Sequence, residues 1–245
     1  MIGPKEDLKP FSITLFILVT LEIIFVLFIC PYLWYEVSYI IPMISLQLFI
    51  IAHFLMFLTM ITDPGIIPRK EVFQAIGEIP DIFTSEGTDK KKFCKTCQIY
   101  RPARSNHCRK CDNCVEVFDH HCPFVNACIG KNNYKYFIGM VISLTLLGGM
   151  NIAGVILFIF YDGDTGRSSR SLVKNDTFLM AVAVVLALSI TFLTALVFCL
   201  CIFHMKISMS GETTKEFRLN IKQNQSVAWF GEKSWFHPRL LIQSL

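Results

Sequence analysis

The sequence predicts an all-α polytopic membrane protein: four transmembrane helices, with a small zinc-stabilised cytosolic cysteine-rich domain between helices 2 and 3. Three observations lead there. The chain is 53% hydrophobic and only 17% charged, where soluble domains average about 45–50% and about 25%. Four apolar segments, roughly 11–30, 38–61, 136–160 and 178–204, each reach the ~20 residues that cross a ~30 Å hydrocarbon core. Between the second and third lies a block with ten potential zinc ligands: Cys94, Cys97, His107, Cys108, Cys111, Cys114, His120, His121, Cys122 and Cys128.

The first segment is too long for a signal-peptide core, and no small-residue cleavage site follows it, so it reads as a span. The connection around Pro31 to Val37 carries no Lys or Arg. The block 62–135 carries twelve, the connection 161–177 three, and the tail 205–245 six. Positive charge therefore alternates with the loops, which predicts cytosolic termini and a cytosolic central block. The divisions are 1–61 (N-terminus and spans 1–2), 62–135 (linker and cysteine-rich domain), 136–204 (spans 3–4) and 205–245 (cytosolic tail). Residues 66–92 read as linker, with Pro68, Gly77, Pro80 and Gly87 among mixed polar residues.

Spans three and four contain no Asp, Glu, Lys or Arg. Glu22, His53 and Asn151 are polar residues within spans, where exposure to lipid is costly. Interhelical hydrogen bonding is the expected use, with a neutral carboxyl at Glu22. Cys30, Cys199 and Cys201 lie in or beside apolar segments and are expected to pack. The formal net charge of +4 gives no sign of nucleic acid as a partner. A basic face toward anionic lipid and an anionic coenzyme is a simpler use of it.

Seven of the ten cysteines fall in the central block. In a reducing cytosol they read as metal ligands or reactive thiols rather than disulfides. Cys94-x2-Cys97, Cys108-x2-Cys111 and Cys111-x2-Cys114 have the spacing of a zinc knuckle, in which two thiolates reach one metal across a tight turn. Two tetrahedral ions use eight of the ten ligands. The leftover pair sits within Asp119-His120-His121-Cys122. A spare thiol beside a spare imidazole and a carboxylate has the makings of an activated nucleophile. The bland alternatives are a partial third metal site or an inert turn.

These residues carry a resemblance. Cys94-x2-Cys97, Arg101-Pro102, Arg104, His107-Cys108, Cys111, Cys114, Asp119-His120-His121-Cys122-Pro123, Cys128, Ile129-Gly130, Asn133 and Phe137 resemble the cysteine-rich domain of the DHHC protein S-acyltransferases (palmitoyltransferases). Asp63-Pro64-Gly65 after span two resembles the family's DPG motif. Thr213-Thr214-Lys215-Glu216 after span four resembles its TTxE motif, for which the plain alternative is a helix cap with Glu216 completing a capping box. The chain departs from the family at Phe124, usually Trp, and at Ala127, often Asn. Asn224 with Phe230-Gly231 resembles a C-terminal family motif at a spacing one residue longer.

The resemblance implies one zinc on Cys94, Cys97, His107 and Cys114, and another on Cys108, Cys111, His121 and Cys128. It makes Cys122 the nucleophile, His120 its base and Asp119 the residue that orients that base. It implies acyl-CoA, palmitoyl-CoA above all, as the donor. Acyl-Cys122 would then pass its chain to cysteines of cytosolic or membrane-associated proteins in a two-step ping-pong reaction. Arg101, Arg104, Lys131 and Lys135 have two readings, solvated charges or holders of CoA phosphates.

An acyl cavity between the spans is also implied, with Phe124 as an aromatic wall near the thiol. Span three rises ~1.5 Å per residue, so Leu147, Gly148 and Gly149 lie roughly 16–20 Å deep, about the length of a sixteen-carbon chain. Close helix packing is the alternative use of Gly148. The expected location is a Golgi, endoplasmic-reticulum or plasma membrane, with an accessory subunit left open. A competing reading of a different class is a membrane-anchored zinc scaffold of RING type, which needs no spare Cys and His.

Overall fold

The computed structural model describes residues 8–77, 92–160 and 177–229, the last eight by backbone alone. The connection 161–176 and Phe230-Gly231 lie outside the residues so described, and Asn224 is described by backbone alone. Among the described residues, four helices are long and apolar enough to cross a membrane: α1 (Leu8–Val37), α2 (Ile40–Ile61), α4 (Tyr134–Phe160) and α5 (Thr177–Met209). All four are hydrophobic around their whole circumference, as helices facing lipid and each other must be.

Helix α1 is longer than the sequence suggested. Pro31 sits in the first turn of a short α segment, Cys30–Tyr32, flanked by π-helical turns at Phe25–Ile29 and Leu33–Val37. Proline lacks an N–H and crowds the preceding turn; the wider π spacing accommodates it without breaking the rod. The helix ends only at Ser38, whose backbone is extended (φ −166°, ψ 133°). The expected loop at 31–37 is therefore helix, and the true connection is Ser38–Tyr39.

Helix α4 is the central rod, packed along both α2 and α5. Gly154 allows α1 to approach it: an added Cβ would lie 2.9 Å from the Phe25 ring and 3.0 Å from Leu33. Phe25, Ile29, Leu33, Val155, Phe158, Ala183, Leu186 and Ile190 form the apolar core at that end. Polar groups tie three helices together nearby. The Ser45 hydroxyl lies 3.1 Å from Glu22 Oε1 and 2.5 Å from Asn151 Oδ1, and Asn151 Nδ2 donates to Glu22 Oε2 at 2.8 Å. All three side chains are buried, so Glu22 and Asn151 serve interhelical bonding. His53 Nδ1 pairs with the Phe49 carbonyl, at 2.8 Å, in its own helix.

Between α2 and α4 lies a module of short hairpins. Its strands are β1 (Ile66–Ile67), β2 (Phe93–Cys94), β3 (Ile99–Tyr100), β4 (Asn106–Cys108), β5 (Asn113–Val115), β6 (His120–Cys122) and β7 (Ala127–Ile129). β2–β3, β4–β5 and β6–β7 are antiparallel hairpins, and β1 adds to the free edge of β5. Residues 66–77 thus do more than link: Ile66 pairs Val115, Ile67 pairs Cys114, and a short helix α3 (Lys70–Ala75) follows. The expected linker holds for no described residue before 77.

Two devices dock the module on the bundle. Asp63 Oδ1 accepts from the Gly65 and Ile66 amides, both at 2.8 Å, which turns the chain out of α2. Gly65 takes φ +104° there, and Gly130 makes room for the turn, since a Cβ on it would lie 2.6 Å from the Pro64 carbonyl. Asn133, fully buried before α4, donates to the carbonyls of Thr59 (3.1 Å) and Cys128 (2.8 Å) and accepts from the Gly130 amide (3.0 Å). One side chain thus joins the end of α2, strand β7 and the start of α4. A mixed apolar cluster completes the contact: Cys122, Val125, Ala127 and Ile129 against Met56 of α2, Phe137, Met140 and Val141 of α4, and Cys201 of α5. Each large side chain so buried stabilises the docking by about 1.5–3 kcal/mol.

Candidate active site and metal-ligand clusters

Two of the three hairpins begin from the same local chemistry. In the first two, the turn is a knuckle closed by an amide-to-sulfur bond, Cys97 N to Cys94 Sγ at 3.4 Å and Cys111 N to Cys108 Sγ at 3.5 Å. A left-handed residue follows each knuckle, Gln98 (φ 52°) and Asp112 (φ 51°). Register does the rest. His107 pairs Cys114 across β4–β5, and His121 pairs Cys128 across β6–β7. The knuckle of one hairpin meets the cross-strand His/Cys pair of the next. The results are two Cys3His sets: Cys94, Cys97, His107, Cys114 and Cys108, Cys111, His121, Cys128.

Both sets could hold a metal ion, and the donor spacing fits zinc. Metal–ligand bonds of ~2.3 Å to sulfur and ~2.0 Å to nitrogen imply tetrahedron edges of about 3.5–3.8 Å. Cys97 Sγ and Cys114 Sγ stand 3.5 and 3.8 Å from His107 Nδ1. Cys111 Sγ and Cys128 Sγ stand 3.3 and 3.6 Å from His121 Nδ1, and 3.4 Å from each other. Asp112 Oδ1 sits 3.4 Å from the other nitrogen of His107 and is itself paired with Arg69 at 2.5 Å. Such a carboxylate behind a ligating imidazole fixes its orientation.

The third hairpin has the His/Cys pair but no knuckle. Side chains alternate along a strand, so His121 faces the metal cluster while His120 and Cys122 share the opposite face. That face looks at the helices, and Cys122 is 6% exposed. His120 Nδ1 lies 2.6 Å from Asp119 Oδ2. Burial opposes the charged form of His120, but its hydrogen bonds to Asp119 and Cys122 outweigh that and push its pKa up to about 9. Burial likewise acts against the Asp119 carboxylate, yet the bonds from His120 and from the Thr214 amide and hydroxyl hold it below its ordinary range.

Those Thr214 bonds, both 2.7 Å, reach across from the segment after α5. The Thr213 hydroxyl accepts from the Glu216 amide at 3.2 Å, and Glu216 accepts from the Thr213 amide at 2.8 Å, which is a complete capping box for helix α6 (Thr214–Trp229). Arg104 grips Glu216 with two bonds of 2.9 Å. Cap and brace therefore coexist: Thr213 and Glu216 start the helix, and its first residue holds Asp119.

The expected basic site residues have partners of their own or line the cavity beside Asp119. Arg101 donates to Asn106 Oδ1 at 2.9 Å, Lys131 pairs with Glu116 at 2.7 Å, and Lys135 lies 4.9 Å above the Tyr136 ring. Arg104 and Lys131 line a cavity of about 240 Å³ that also reaches Asp119, Tyr134, Ser208 and Thr213. Phe124 is exposed on the β6–β7 turn, whereas Leu147 is buried in α4. Gly148 lies hard against α5: an added Cβ would meet Thr194 Oγ1 at 2.0 Å.

Two residues escaped sequence reasoning. His204, near the end of α5, is 2% exposed, 5.7 Å from the His120 ring and edge-on to Phe137 at 4.9 Å. Its signal was a histidine closing a span with no partner in sight. Asn126, in the turn after Cys122, is fully buried at φ 47°, with neither amide atom hydrogen-bonded.

Comparison with known proteins agrees with this geometry. The DHHC palmitoyltransferase family description matches residues 87–221, more than half of the chain. Palmitoyltransferase ZDHHC18 of Mus musculus is 33% identical over 242 residues, covering 91% of this chain and 61% of that protein. Its Homo sapiens counterpart is also 33% identical, with 91% and 60% covered. Palmitoyltransferase ZDHHC9 of Homo sapiens is 38% identical over 157 residues, 56% of this chain and 43% of that protein. The chain thus spans about 60% of the length of the ZDHHC18 relatives.

Proposed function

The chain belongs to the DHHC palmitoyltransferase family, and from that premise we propose that it is a multi-pass membrane protein S-acyltransferase with Cys122 as nucleophile. One observation carries the reading. Among the Cys and His side chains of the hairpin module, Cys122 and His120 stand outside both four-ligand sets, on one strand face, with Asp119 on His120. A RING-type scaffold has no use for that arrangement.

His120 takes the thiol proton, and the Cys122 sulfur attacks the thioester carbonyl of an acyl-CoA. The CoA sulfur leaves with the proton from His120, and the acyl group stays on Cys122. In the second half, a substrate cysteine gives its proton to His120 and attacks acyl-Cys122, whose sulfur leaves and is reprotonated. Both steps exchange one thioester for another, so catalysis rests on nucleophile activation and positioning. Asp119 orients His120 and stabilises its charged form. The metal sets are structural: zinc replaces the core that the hairpins lack. Cys94, Cys97, His107 and Cys114 hold one ion, and Cys108, Cys111, His121 and Cys128 the other.

The donor's phosphates are met by Arg101 and Lys135, with Arg104 already engaged by Glu216 and Lys131 by Glu116. The acyl chain runs from Cys122 between the spans, past Phe124 and toward Leu147. Orientation follows the charge pattern, with termini and module in the cytosol of an endomembrane or plasma membrane. Substrates are cytosolic or membrane-associated proteins with cysteines near the bilayer. The deciding experiment is Cys122→Ser in detergent-purified protein. Acyl transfer from palmitoyl-CoA to the enzyme is lost while bound zinc stays at two per chain; loss of zinc instead would make Cys122 a ligand and overturn the reading.

The packing of Gly148 on Thr194 makes a second test. Gly148→Ala lowers thermal stability, and Thr194→Ala in the same chain restores it. A shift in acyl-length preference at unchanged stability would return Gly148 to the cavity wall.

A further inference from the structure

The described Asp, His and Cys side chains make a third cluster that the two structural metal sets leave untouched. Asp119, His120 and His204 each bring one ligand atom within 4.8 Å of the others. We propose that these three residues form a third, inhibitory zinc site, filled from free Zn2+ and closed to catalysis when filled. The inference rests on the roles given above to Cys122 and His120.

The donor chemistry is that of an open zinc site. Two imidazoles and one carboxylate supply three ligands and leave a fourth position for water. Such a set differs from the thiolate-rich sets, which are closed. The outer shell is already built. Thr214 donates from its amide and hydroxyl to the two oxygens of Asp119, both at 2.7 Å, and the Tyr134 hydroxyl stands 3.4 Å from His204 Nδ1. Partners of this kind orient ligands and raise metal affinity. The cavity of about 240 Å³ reaches one of the three ligands, Asp119, and is lined also by Tyr134, Ser208, Gly211 and Glu212.

The inhibitory sign follows from the imidazole. His120 Nδ1 now lies 2.6 Å from Asp119 Oδ2, a hydrogen-bond contact; a zinc ion bound by both displaces the proton between them and spreads the two atoms to about 3.3 Å. The proton on Nδ1 is released to solvent. The ring, neutral and metal-bound at Nδ1, then carries its one hydrogen on Nε2. An imidazole in that form donates there and has no lone pair to accept the Cys122 proton. His204 has no place in the acyl transfer described above, yet its helix, α5, supplies the ligand that completes the cluster. A third metal ion would bind across the joint between the hairpin module and the membrane bundle.

Cobalt separates the sites by their ligands. In protein purified with its metals exchanged for Co2+, two equivalents bring intense thiolate-to-metal charge-transfer absorption in the near ultraviolet. A third equivalent adds visible d–d absorption with no further charge transfer, and is lost in His204→Ala and His204→Gln while the first two remain. With zinc, the third equivalent slows alkylation of Cys122 by iodoacetamide about tenfold or more in the wild type, and mild chelation reverses it. Titration ending at two equivalents, or a third that brings charge transfer or survives both His204 variants, overturns the third site and leaves the two structural sites standing. Absence of the first two thiolate-rich equivalents would instead strike the metal assignment beneath it. Should the His204 variants fail to retain two metals, the wild-type spectrum alone decides.

Discussion

Hairpins β4–β5 and β6–β7 are built on one plan and put to opposite uses. Each presents a cross-strand His/Cys pair, His107 with Cys114 and His121 with Cys128, to a metal cluster. In β4–β5 the turn is itself a knuckle, and Cys108 and Cys111 pass the chain on to the second cluster. In β6–β7 the turn from Pro123 to Asn126 has no cysteine, so Cys122 faces the bundle instead of a metal. One hairpin is held at both ends and serves as a link. The other is held at one end only, and its free end carries the thiol. Ligand positions occupy both ends of one hairpin, and the position left out of the sets in the other holds the thiol to which we assign reactivity.

The largest effect comes from erasing the shared part. His121→Ala should remove one of the two metals, lower the unfolding temperature sharply and abolish acylation, because structural zinc provides much of the folding energy of such modules. Zinc content and thermal unfolding, read together, check it. Retained metal with normal unfolding would break the comparison, since β6–β7 would then not depend on its His/Cys pair. His107→Ala should behave alike in the other cluster, and Cys122→Ser should differ from both by keeping its metals.

A smaller effect sharpens the difference at the free end. Thr214→Val removes one hydrogen bond to the Asp119 carboxylate but keeps the backbone donor. A bond to a charged group contributes about 1.5–3 kcal/mol, so acylation should slow by roughly 10–100-fold at unchanged zinc content. An unaltered rate would mean that Asp119 needs no brace from the chain after α5.

The smallest effect concerns the outer grip on that brace. Arg104 and Glu216 are each about a third or more exposed, at 43% and 32%, and exposed pairs contribute about 0–1 kcal/mol. Arg104→Gln should therefore slow acylation only a few-fold, and added salt should shrink the gap between variant and wild type. A loss as large as that of Thr214→Val would promote the pair from grip to part of the catalytic support.

Most of the architecture was legible because its signals are local. Span length and hydropathy are properties of continuous segments, and knuckle spacing is a matter of four residues. Helix α1 was misjudged at its end because proline usually breaks helices, and only the π turns on either side show how this one does not. The basic residues were less legible. Charge says where a cation sits along the chain, whereas Arg104 and Lys131 have their carboxylate partners 112 and 15 residues away. Gly148 was read as cavity or packing, and the choice depends on Thr194 in another helix.

The sequence by itself determined that four segments are long and apolar enough to cross a membrane, that eight Cys and His residues suit two metals, and that a thiol and an imidazole remain beside a carboxylate. These follow from composition and short-range spacing. Only the tertiary structure decided which face of β6–β7 each residue takes, that Thr214 closes on Asp119 from 95 residues away, and that His204 stands beside His120. Strand register, helix length and the docking through Asn133 set those contacts. They are contacts between segments distant in the chain, to which hydrophobic periodicity and ligand spacing carry no address.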